Sequence, residues 1–273
     1  MLKEIHLYMQ ISHEVPVCLL DESRQFNCYD YCLVHLLKEI PEYHNFFKDS
    51  LAMGRKVILD NSLFELGTIF DSDKFAEAVL ELRPTEYIIP DAFNDIEPTV
   101  KSSEDWIEKY DDLPGIKIGV IQGSTLEQLQ DCYQAIEPLV DKVAISFFYQ
   151  YYQNFIPVDL GFDPLQNAMF GRHFLIKSLV DNNIINHKKE HHLLGCALPQ
   201  EGRFYKHQKW ITSMDTSNPV MAAINNIRYP DGGIFVKPST KMADIMTTIK
   251  RVDINDDILD NNLTKFRQMW AQE

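Results

Sequence analysis

The chain has 273 residues, of which 45% are hydrophobic, 24% charged and 11% aromatic, with a formal net charge of −14. These proportions exclude a disordered, collagenous or coiled-coil chain and leave ample apolar material for a core. No apolar run approaches the roughly 18 residues of a membrane span, and the opening Met1-Leu2-Lys3-Glu4-Ile5-His6 carries charges where a signal peptide needs an apolar stretch, so a soluble, cytoplasmic protein with no membrane partner is expected.

In chain order, the first β-rich run is Ile5–Met9. Cys28 and Cys32 follow, four apart among Tyr29, Tyr31 and Leu33, with the spacing of one helix face. With Cys18, Cys132 and Cys196 the cysteines are odd in number and contain no CxxC pair, which indicates neither a disulfide framework nor a cysteine-based zinc site. Seven further runs read as strands: Lys56–Asp60, Tyr87–Asp91, Ile116–Gln122, Lys142–Phe147, His192–Ala197, Ile211–Asp215 and Gly233–Lys237. Each is apolar through its middle, as a strand buried on both faces must be. Helical stripes lie between them. Phe75, Val79 and Leu82 line one face of Lys74–Arg83, and Leu129, Tyr133, Ile136 and Leu139 line one face of Leu126–Val140. Pro98–Tyr110 and Pro164–Val180 are further helices. Ser72, Ser103 and Ser124 or Thr125 are suitable N-caps. Residues 151–163 and 181–190 read as loop insertions, and about 240–270 as closing helices.

Strands begin near 56, 87 and 116, a spacing that fits one strand–helix unit. Eight such strands alternating with helices predict a single α/β domain, a (β/α)8 TIM-type barrel spanning the chain; a doubly wound open sheet is the alternative. No GxGxxG turn follows any strand, which weakens a dinucleotide-binding reading.

In a (β/α)8 barrel the chemistry sits at the C-terminal strand ends, and these ends are rich in polar groups. They include Asp60-Asn61-Ser62, Pro90-Asp91 with Asn94 and Asp95 beyond, Gln122-Gly123, Gly195-Cys196 and Asp215-Thr216-Ser217. Such carboxylates can bind a metal, act as an acid/base pair or hydrogen-bond a ligand. His187, His191 and His192 cluster beside Lys188 and Lys189 without metal-ligand spacing, and Lys237 fits a Schiff-base lysine by position alone. Asp215 as nucleophile with Asp60 for proton transfer suits glycosidic-bond cleavage. The bland reading is that each strand-end Asp caps the following helix. Charge is unevenly spread. Residues 1–160 are net −16, residues 161–251 net +5 and residues 252–273 net −3. Arg172, Lys177, Lys188, Lys189, Arg203, Lys206, Lys209 and Lys237 form the basic third, a phosphate-binding face or an ordinary solvated surface.

Over roughly residues 56–223 the chain resembles the tRNA-guanine transglycosylases and their relatives that act on deazaguanine bases in DNA. Leu59-Asp60-Asn61-Ser62-Leu63-Phe64 is similar to the family's DSGG-aromatic motif, Pro90-Asp91-Ala92 to its FDE, and Gly119-Val120-Ile121-Gln122-Gly123 to its GIVQGG. His192-Leu193-Leu194-Gly195 is similar to its YLMG, and Met214-Asp215 with Pro219 to its FDCVMP. The resemblance implies Asp215 as the nucleophile at C1′ and Asp60 as general acid/base. It implies Asp91 and Gln122 at the base edge, Phe64 and Leu194 on the base faces, and Gly195, Ser146 and Phe147 around the base. Arg172, Lys188, Lys189, Arg203, Lys206 and Lys209 are expected on the nucleic-acid backbone, with no metal and no cofactor.

The departures from the family are specific. The zinc site of three Cys and a His is missing. The family's Gly-Gly pair is Ser146-Phe147, its TRN segment is Val220-Met221-Ala222, and Glu65 stands for its Gln. These favour DNA over tRNA as partner. Base exchange with a free deazaguanine-type base is the leading expectation. A hydrolytic DNA glycosylase, perhaps directed at foreign DNA, is the alternative, followed by a non-catalytic binding protein and a sugar hydrolase. The sequence leaves the oligomeric state open.

Overall fold

The computed structural model describes residues 9–147, 152, 155–196, 198–238 and 240–271. Its strands are β1 Gln10–His13, β2 Asp30–Leu33, β3 Val57–Asp60, β4 Glu86–Ile88, β5 Ile116–Ile121, β6 Lys142–Ser146, β7 Glu190–Leu194 and β8 Ile211–Thr216. The α-helices between and after them are α1 Leu20–Phe26, α2 Val34–Glu39, α3 Pro41–Ala52, α4 Leu63–Leu66, α5 Ser72–Leu82, α6 Ile96–Tyr110, α7 Leu126–Ile136, α8 Pro164–Asp181, α9 Asn218–Ile224, α10 Met242–Ile245 and α11 Asp256–Trp270. The strands form one sheet in the order β1-β8-β7-β6-β5-β4-β3-β2. β1 with β8 and each neighbouring pair from β2 to β6 run parallel. This is the expected (β/α)8 TIM-type fold, with helices alternating with strands and a closing helix at the C-terminus. No helix among the described residues is long and apolar enough to cross a membrane.

The chain groups into two compact units. One holds the described residues of 29–146 and 181–191, the other those of 1–28, 147–180 and 192–273. In the 29–146 unit, β3 carries Val57-Ile58-Leu59 with no exposure at all, because both faces of the strand are covered. Helix α5 buries Phe75, Val79 and Leu82, and Asp71 caps it by accepting the Lys74 amide. Phe75 packs edge-on against Trp106 of α6, ring centroids 5.6 Å apart. Thr125 caps α7 through the Gln128 amide. In the other unit, α11 turns Leu259, Leu263, Phe266 and Trp270 inward.

The differences from expectation are local. Residues 5–8 of the first expected strand lie outside the described residues, as does Ala197 of another, and β1 begins only at Gln10. Cys32 belongs to a strand, not a helix: β2 pairs with β3 at Cys32↔Leu59 and Leu33↔Asp60, while Cys28 is exposed ahead of it. Gly233–Lys237 is irregular, with Phe235 and Val236 exposed, and among the described residues no strand pairs with it. β2 therefore supplies the strand that this run was expected to give. Ser103 lies inside α6, its hydroxyl donating to the Thr99 carbonyl, and Ser72 is the first residue of α5 rather than its cap.

Candidate active site

Two polar groups occupy C-terminal strand ends, one in each unit. In the 29–146 unit, Asp60 ends β3 and the chain turns at once. Ser62 takes a left-handed φ of 60°, and its amide donates to Asp60 Oδ2 at 2.8 Å. Such a backbone is rare without glycine and costs about 1–3 kcal/mol. The next amide, that of Leu63, donates to Asn61 Oδ1 at 3.0 Å. That bond fixes the Asn61 carboxamide, so its Nδ2 donates to the Ile89 carbonyl at 2.9 Å and to Asp91 Oδ1 at 2.7 Å. Gln122, beyond β5, is fixed in the same way. Its Oε1 accepts the Asn94 amide at 3.2 Å, and its Nε2 donates to Asp91 Oδ2 at 2.6 Å.

Asp91 is thus clamped between two carboxamides whose orientations are set by backbone amides. One lone pair on each of its oxygens remains for a further donor. Burial pushes its carboxyl up to about 7, against the two amide bonds that hold it down, and the charge of Asp60 adds to the rise. Phe64, on α4, is 59% exposed.

In the other unit, Asp215 sits next to the end of β8, beside Ser12 of β1 in register. His192 Nε2 lies 3.1 Å from Asp215 Oδ1, and His192 Nδ1 lies 2.9 Å from Ser213 Oγ. The Gly195 amide donates to the same Oδ1 at 3.2 Å. With Asp215 ionised, Nε2 is the protonated nitrogen and Nδ1 accepts the Ser213 hydroxyl. Both donors from this side fall on Oδ1, and Oδ2 faces neither. Burial raises the Asp215 carboxyl to about 7, opposed by the Gly195 amide and by the charge of Arg172.

Arg172 holds the loop that supplies the Gly195 amide. It is fully buried on α8, pairs with Glu201 at 2.6 Å, and donates to the Leu194 and Gly195 carbonyls at 2.9 Å each. Glu201 also accepts the Tyr205 hydroxyl at 3.0 Å. Gly195 has a φ of +63°, and a Cβ there would lie 3.2 Å from Phe147 Cβ, so both conformation and space ask for glycine.

The structure therefore brings Asp91 and Gln122 into contact, and Asp215 with Gly195. Leu194, beside Gly195, and Ser146, ending β6, are half-buried. Phe147 is buried in a core cluster with Ala168, Met169 and Leu198, so its ring serves packing first. Two members of the expected phosphate-binding set are corrected. Arg172 is an interior ion pair and cannot reach a backbone phosphate. Lys189 is half-buried, with its ammonium donating to the Val140 carbonyl at 2.5 Å and paired with Glu137. Lys188, Arg203 and Lys209 are exposed, and Lys206 is half-buried.

His192 was not singled out by the sequence as a partner of Asp215. The available signal was the two-residue spacing of Ser213 and Asp215, which puts both on one face of β8. His191 does separate work. Its Nδ1 donates to the Lys189 carbonyl, so its Nε2 accepts the Tyr133 hydroxyl at 2.9 Å, and burial lowers it to about 4. Among the described residues, no group of three or more His, Cys, Asp or Glu side chains could hold a metal ion. No family model matches the chain, and no curated protein matches it.

Proposed function

We propose that this protein cleaves the N-glycosidic bond of a nucleobase in nucleic acid, DNA rather than tRNA, through a covalent Asp215 intermediate. The observation that carries this reading is the dressing of Asp215. The His192 ring and the Gly195 amide both meet Oδ1, Oδ2 faces neither of them, and burial pushes the carboxyl up to about 7. A buried carboxylate whose second oxygen meets neither donor keeps a lone pair for attack. In this reaction Oδ2 forms a bond to C1′ as the C1′–N bond breaks, with the electron pair leaving on the base nitrogen. Asp60 gives that nitrogen its proton and then takes one from the incoming base, which displaces Asp215 and restores the glycosidic bond. The remaining lone pairs of Asp91 accept adjacent N–H groups of a guanine-like edge, and Phe64 stacks on the base plane. The resemblance to the base-exchanging transglycosylases supports the same roles, and the missing zinc ligands and TRN segment support DNA.

The test is to trap the adduct. The protein is incubated with labelled oligonucleotides bearing normal or deazaguanine bases, denatured and run on a gel. A shifted protein–DNA band is expected from the wild type and none from Asp215→Asn. The same band from Asp215→Asn would overturn the reading. Added free base distinguishes the products: exchange incorporates it, whereas water as acceptor leaves alkali-labile abasic sites.

A further inference from the structure

A surface concavity of about 280 Å³ lies between the 3-10 turn Pro199–Phe204 and helix α11. Arg203, Lys206, Asp231, Lys265, Gln268 and Met269 line it. Three cations against one carboxylate is an unusual local balance in a chain of net −14. The carboxylate is also the weakest part of the lining. Asp231 is fully exposed and, among the described residues, pairs with Lys265 alone, an exchange that water and salt compete with easily. Among the described residues no ion pair engages Arg203, whose planar fork suits two oxygens of one phosphate.

The spacing of these cations is fixed by packing. Gly202, next to Arg203, lies so close to α11 that a Cβ would sit 2.5 Å from the Trp270 ring and 2.8 Å from the Met269 carbonyl. Trp270 is buried, and Glu201 on the other side of Gly202 is held by Arg172. The Tyr205 amide closes the turn on the Gly202 carbonyl at 3.0 Å. The turn carrying Arg203 is therefore pinned to the helix carrying Lys265, so a ligand has no loop to order before it binds. Gln268 adds a neutral N–H donor, and Met269 an apolar wall.

We propose that this concavity is a phosphate-binding site that takes one phosphodiester of the nucleic-acid backbone. Only the identity of the ligand as nucleic acid rests on the function proposed above; the anion chemistry does not. The test measures binding of a fluorescent 20-nucleotide DNA by anisotropy across a salt series, for the wild type, Arg203→Ala/Lys265→Ala, and Lys48→Ala, at an exposed position of α3, as a basic control elsewhere. The double variant is expected to bind about tenfold or more weakly, with a salt slope shallower by about 1, as for the loss of one phosphate contact. Circular dichroism should show it folded, since the changed side chains lie at the surface. Lys48→Ala should keep the wild-type affinity and slope. A double variant with wild-type affinity and slope overturns the proposal. So does loss of inorganic-phosphate binding, followed by NMR, without loss of DNA binding, since the site would then serve a free anion. Adduct formation at Asp215 is scored separately, so failure of this proposal and failure of the catalytic reading are told apart.

Discussion

At the scale of single residues, the chemistry and the instability of this protein come from the same groups. Asp215 and Asp91 release their protons near 7 in the folded chain but near 4 when unfolded. Between those values the folded state holds more protons than the unfolded state, so stability falls as pH rises through this window. Asp215→Asn removes one of the two contributions. It should leave stability nearly unchanged below about pH 3, where the acid is mostly neutral in both states, and raise it at pH 8. Three pKa units set an upper bound of about 4 kcal/mol. Urea denaturation at the two pH values measures this, and equal stability of variant and wild type at pH 8 would mean that the ionised carboxylate is not held at a cost. The same titration governs the proposed reaction. A nucleophile must be ionised, so the rate of adduct formation should climb as pH rises toward 7.

At the scale of elements, the turns after strands decide where these groups point. Gly195 holds its amide on Asp215 Oδ1 only while its φ stays at +63°. Gly195→Ala should cost about 1–3 kcal/mol in stability and lower the adduct rate with it, because the neighbouring Phe147 leaves no room to relax. A variant with wild-type stability and rate would show that the turn does not position the amide. The sequence made the covered strands legible because Val57-Ile58-Leu59 and Val143-Ala144-Ile145 are apolar without interruption. It did not show β2, where Asp30 and Tyr31 break the run and the Cys28/Cys32 spacing imitates a helix. Nor did it show that Ile234-Phe235-Val236, apolar in composition, pairs with no strand among the described residues. Asp60, Asp91, Gln122 and Asp215 could be read as strand-end groups from their local context. His192 and the Arg172–Glu201 pair could not, because their partners are set by strand pairing and helix docking over 20 or more residues of chain.

At the scale of the whole molecule, the two ends of the strands handle charge differently. At the C-terminal ends, Asp91 and Asp215 are buried and their carboxyls are pushed up to about 7 by that burial. At the N-terminal ends of β4 and β6, charge is compensated. Lys142, 1% exposed, lies between Glu86 at 3.3 Å and Glu190 at 3.4 Å, and Lys56 closes on Glu86 at 2.5 Å. In barrels of this type the N-terminal ends serve stability and the C-terminal ends serve function, which predicts opposite responses to mutation. Lys142→Ala leaves Glu86 buried with one partner instead of two. Breaking a buried pair costs about 3–5 kcal/mol; because Lys56 remains, the lower end of that range is expected, seen as a lower urea midpoint. Below its unfolding transition, the variant should still form the Asp215 adduct at the wild-type rate, since Lys142 begins β6 and the reacting groups lie at the opposite strand ends. A Lys142→Ala variant that is as stable as the wild type yet slow would break this division of labour, and would mean that charge at the N-terminal ends is tuned for the chemistry rather than for the fold.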